Sequence, residues 1–77
     1  MSYDETRARE SLAAIQKLPA TLAGENSTAI DAALGTLALY TPLASEFGPL
    51  LHEATMAVDT VKSALVTLRD QAREREK

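Results

Sequence analysis

From residue 47 to residue 72 the apolar side chains fall at Phe47, Leu51, Ala54, Val58, Val61, Leu65, Leu68 and Ala72, in steps that alternate between four and three. That is a heptad seam, with Leu51, Val58, Leu65 and Ala72 at one seam position and Phe47, Ala54, Val61 and Leu68 at the other. Leu50, Ala57 and Ala64 flank it and widen the stripe. A wide stripe rich in alanine suits a compact helical bundle better than an extended two-stranded coiled coil. The seam therefore predicts a long final helix, over about residues 49–73, and an all-α fold. Residues 74–77 are charged with mixed sign and are expected to fray.

The rest of the chain divides at Pro19, Gly24, the Thr41-Pro42 pair and the Gly48-Pro49 pair. The first segment reads as a helix over residues 3–18. Ser2 is placed to cap it, with Glu5 completing a capping box. Ala8, Leu12, Ile15 and Leu18 or Leu22 give it one narrow apolar stripe, and Pro19 ends it or begins a short turn. A second helix is expected over residues 28–40, capped by Ser27 or Thr28, with Asp31 in its first turn beside an arginine or lysine. Thr41 followed by Pro42 has the form of a cap and a proline at the first helical position, which predicts a short helix or connector over residues 42–48. Gly48-Pro49 is expected to break or kink the chain before the last helix.

Three helices joined by short connections predict a small antiparallel bundle. The second helix is unusual among them. Residues 32–45 carry no charge, and Ala29, Ala32 and Leu39 lie off the face formed by Ile30, Ala33, Leu34, Leu37, Ala38 and Tyr40. A helix apolar on all sides is buried on all sides. At 77 residues without a cysteine, the chain has neither a large core nor disulfides to help it, and a lone core at this scale supplies about 3–5 kcal/mol. Homo-oligomerisation is thus expected, through Ile30, Ala33, Leu34, Leu37, Ala38, Tyr40 and Leu43. Gly35, inside the same helix, costs up to about 1 kcal/mol against alanine, which a close approach of another backbone would explain.

Few chemistries are open to these residues. With no cysteine and a single histidine, His52, no metal site, cofactor site or catalytic group is expected. The three glycines are too far apart to form a phosphate loop. A net charge of −3 and the absence of a basic face argue against nucleic acid as a partner. The uncharged run is too short to cross a membrane and Pro42 interrupts it. The acidic start is no secretory signal, so a cytoplasmic location is expected.

The residues thus suggest a non-enzymatic interaction module, a scaffold, adaptor or accessory subunit, acting through an apolar helical surface. A second reading is an acidic inhibitor that covers a basic surface of another macromolecule. It requires Asp4, Glu5, Glu10, Glu53 and Asp59 to gather on one face. A third rests on His52-Glu53. In these two residues the chain resembles the phospho-accepting box of sensor kinases, which implies histidine phosphotransfer. The arginine or asparagine, threonine and proline that usually follow are absent, and His52 falls on the wet side of the predicted helix.

Overall fold

A computed structural model gives the protein's structure over residues 4–77. Its elements are α1 (Glu5–Leu22), α2 (Ser27–Leu39), the helical turn α3 (Ala44–Phe47), a 3-10 turn (Gly48–Leu50) and α4 (Leu51–Arg75). No strand occurs among the described residues, and the fold is all-α.

Asp4 caps α1, its Oδ1 accepting from the Arg7 N–H at 3.1 Å. The expected cap, Ser2, lies outside the described residues. Pro19 does not end the helix, which continues to Leu22. A proline there removes the N–H that would bond the Ile15 carbonyl. The extra turn is kept because Leu18 and Leu22, on either side of Pro19, both pack against the core. Asn26, not Ser27 or Thr28, caps α2, with its Oδ1 accepting from the Ala29 N–H at 2.8 Å. The helix therefore starts a residue early, and Asp31 sits in the second turn rather than the first.

The corner before α4 also departs from expectation. Thr41 and Pro42 belong to a non-helical connector, residues 40–43, and α3 begins at Ala44 after Leu43, which makes no side-chain cap. Geometry supplies the reason. At 13 residues α2 is about 20 Å long and at 25 residues α4 is about 37 Å, so the chain must cover the difference before α4 can start. Extended backbone covers about 3.3 Å per residue, more than twice the rise of a helix. Tyr40 and Leu43 accordingly take extended dihedrals. The break at Gly48 is as the sequence predicts. Its φ of 53° and ψ of −127° suit a residue without Cβ, and it turns the chain from α3 into α4.

One core joins all the elements. Ala8 and Ile15 enter it from α1, Ile30 and Leu37 from α2, and Phe47 and Leu50 from the corner. From α4 come Ala54, Ala57, Val58, Val61, Leu65 and Ala72. Leu51 and Leu68, the remaining seam positions, are half-buried against the same cluster.

The helices do not pack as a ring of neighbours. Both α1 and α2 lie along α4, and they scarcely touch each other. The start of α2 is bonded to the end of α4, Ser27 to Glu76, and one turn later Asp31 meets Arg73 and Arg69. So α2 runs antiparallel to α4. Residues 23–26 reach at most about 17 Å, which keeps the end of α1 near that same end of α4, while α1 also contacts the corner at the opposite end. Hence α1 runs parallel to α4. The heptad stripe is wide because it serves two helices: α1 lies over the flank with Ala57 and Ala64, and α2 over the flank with Arg69 and Arg73.

Candidate functional site

Three surface features stand out: the outer face of α2, a groove between α1 and α4, and the polar end where α2 meets α4.

Among the described elements α4 alone packs extensively on α2, so the apolar side chains of α2 are not buried all round. Ile30 is fully buried and Leu37 is 5% exposed, so neither is available to a second molecule. Both were expected at an interface, and α4 has taken them. Ala33, Leu34 and Tyr40 are half-buried against the same cluster. Burial, and then the Glu46 charge, raise the Tyr40 hydroxyl above its ordinary pKa. Of the expected interface residues, Ala38 and Leu43 are exposed, Leu43 to 57%.

The most exposed large apolar side chain that the structure describes was not in the expected set. Leu39 is 89% exposed at the end of α2. The spacing could have found it. Nine residues after Ile30 is about two and a half helical turns, so Leu39 points away from whatever Ile30 faces. Ala32 and Gly35 lie on the same outer side and are exposed. A Cβ at Gly35 would meet nothing within 4 Å. Among the described residues no backbone outside the helix approaches it.

The groove, of about 600 Å³, is walled by Gln16 and Pro19 of α1 and by Met56 and Thr60 of α4. Ala57, Val61 and Ala64 form its floor, and His52 and Glu53 its end. His52 is exposed as the second residue of α4, so it stands at the end of the bundle rather than mid-way along it. The carboxylates required for an acidic contact face are spread out. Glu5 is paired with Arg9 at 3.2 Å, Glu53 borders the groove, and Asp59 lies six residues further along α4, about 120° around it.

The end of α4 was expected to fray, and it is instead bonded to α2. The Glu76 carboxylate accepts from the Ser27 N–H at 2.7 Å and from the Ser27 hydroxyl at 2.6 Å. These bonds hold Glu76 below the usual glutamate value against a smaller opposing effect of desolvation, and the charges of Arg75 and then Arg73 add weaker contributions in the same direction as the bonds. Arg75 donates to the Glu25 carbonyl. Asp31 takes Arg69 on one oxygen and Arg73 on the other, each at 3.1 Å. The hydrogen bond to Asp31 is the main cause that raises the Arg69 pKa further.

Among the described residues, no three histidine, cysteine, aspartate or glutamate side chains gather to hold a metal ion, and no helix is long and apolar enough to cross a membrane. Compared with protein-family models, with curated proteins and with solved structures, the chain matches none.

Proposed function

We propose that the chain is a non-enzymatic interaction module whose working surface is the outer face of α2 and the connector after it, and that a second copy of the chain covers this surface. The observation that carries the reading is Leu39, 89% exposed, followed by Leu43 at 57% in a segment without charge. Ala32, Gly35 and Ala38 continue the exposed strip along α2. A two-fold contact would bury four such leucines. Full burial from an exposed start contributes about 1.5–3 kcal/mol, which applies nearly in full to Leu39 and by about half to the partly covered Leu43. Together they are of the size needed to offset an association cost of about 4–15 kcal/mol. The open space over Gly35 suits close approach of a second α2.

The reading drops Ile30 and Leu37 from the contact and adds Leu39. Light scattering on a size-exclusion column tests it, with wild type and Leu39→Lys run across the micromolar range. The expected result is a dimer for wild type and a monomer of unchanged helicity for the variant. A wild-type monomer throughout that range would overturn self-association.

A further inference from the structure

We infer that α2 is a releasable arm, held shut by the polar clasp at the end of α4. Its independence from α1 comes first. α2 packs on α4 and scarcely touches α1, so it can leave without disturbing the α1–α4 contact. Its two connections, residues 23–26 and 40–43, are both non-helical. It can therefore swing out as one piece.

The second observation is where its long-range polar bonds lie. Ser27, the loop carbonyl of Glu25, and Asp31 all sit at or near the first turns of α2. Their partners Arg69, Arg73 and Arg75 sit in the last two turns of α4, and Glu76 directly follows them as its C-cap. The far end of α2 has no such bond among the described residues. There Tyr40 is half-buried and Leu39 faces outward. An element fastened at one end and joined to the rest by non-helical connectors opens at the other end first.

Glu76 is the central fastening. The backbone N–H of Glu76 caps α4, but an acidic side chain at a helix C-terminus opposes that helix's own dipole, so the Glu76 carboxylate does not stabilise α4. Its two short bonds to Ser27 place the charge at the N-terminus of α2, where a carboxylate is favourable. Release of α2 uncovers its own buried Ile30 and Leu37 together with the part of α4 on which it packs. The device thus switches a large apolar face between hidden and available, and does so whether or not the chain self-associates.

Native-state hydrogen exchange, read by mass spectrometry at a concentration where the chain is monomeric by light scattering, tests the inference. The proteins are wild type, Glu76→Ala, Ser27→Ala, and Glu74→Gln as a control that also removes one charge at the same helix end. In wild type the amides of α2 are expected to exchange faster than those of α4 from Val58 to Leu65. In Glu76→Ala, and less so in Ser27→Ala, exchange over Ser27–Leu39 is expected to rise several-fold with α1 and the centre of α4 unchanged. Glu74→Gln is expected to behave as wild type. Exchange that rises equally in all helices, or that stays unchanged in α2, would overturn the arm. A global loss of structure in Glu76→Ala accompanied by uniform exchange in Ser27→Ala would overturn it too.

Discussion

Asp31 lies between Arg69 and Arg73 and bonds both at 3.1 Å, one on each carboxylate oxygen. The two arginines are one turn apart on α4, a spacing that is repulsive in an isolated helix. The aspartate from α2 turns this repulsion into a reason for docking. Asp31→Asn is therefore expected to destabilise twice over, by losing the bonds and by restoring the repulsion. Because all three groups are partly exposed, the net loss is modest, about 1 kcal/mol or less, and shrinks with added salt. Urea unfolding followed by circular dichroism at low and high salt measures it.

Core substitutions on α2 should separate sharply from those on its outer face. Ile30→Ala empties a fully buried site and is expected to cost about 2–5 kcal/mol, which is most of what a core of this size supplies. Ala38→Ser, on the exposed side, is expected to stay within about 0.5 kcal/mol. The midpoints of urea unfolding decide between them.

The two glycines of opposite setting make opposite predictions. Gly35 is helical with nothing within 4 Å of a Cβ, so Gly35→Ala is expected to stabilise the monomer by about 0.5–1 kcal/mol through helix propensity. The same change is expected to weaken the proposed self-association, since it adds a methyl where a second copy would pack. Gly48 has φ 53° and ψ −127° at the corner, so Gly48→Ala is expected to cost about 1–3 kcal/mol. Thermal unfolding of both variants, with light scattering for the first, checks all three expectations.

Acid acts on the clasp with a definite sign. Glu76 titrates below its ordinary 4.5, chiefly because Ser27 bonds its charged form. A carboxylate depressed in this way contributes stability that is complete above 4.5 and is lost as the pH falls through its own lower value. Exchange protection of α2 is thus expected to hold through neutral pH and to weaken only below 4.5. Glu76→Gln should show a smaller fall over the same acidic range. Asp31, Glu25, Asp70, Glu74 and the facing Arg69, Arg73, Arg75 and Lys77 are common to both proteins, so the difference isolates Glu76. Equal pH profiles would count against the role given to Glu76.

What the chain reveals to a reader differs by kind of interaction. The seam on α4 was legible because a single helix writes its own contact face in the spacing of its residues. The break at Gly48 was legible for the same local reason. The partner of each face was not. Ile30 and Leu37 read as interface residues because nothing local says that α4 covers them first. Leu39 is hard to single out because apolar residues on several sides of α2 hide which side faces out. Glu76 looked like one more charge in a fraying tail, and only the antiparallel course of α2 brings Ser27 to it. The cap falls on Asn26 in place of Ser27 or Thr28 because adjacent polar residues are each able to do the task alone.

That α1 and α2 scarcely touch also governs how the chain reaches its fold. Helical proteins fold fast when neighbours in sequence are neighbours in space. Here the nearest available hairpin, α1 with α2, is the one pairing of long helices the structure does not use. The bonds that seat α2 join residues 38 to 50 positions apart. Contact order is accordingly high for an all-helical chain. Both early helices must wait with apolar stripes bare until the last third of the chain arrives to pair with them. In refolding kinetics, core truncations in α4 should therefore slow folding, whereas truncations in α1 or α2 should mainly speed unfolding.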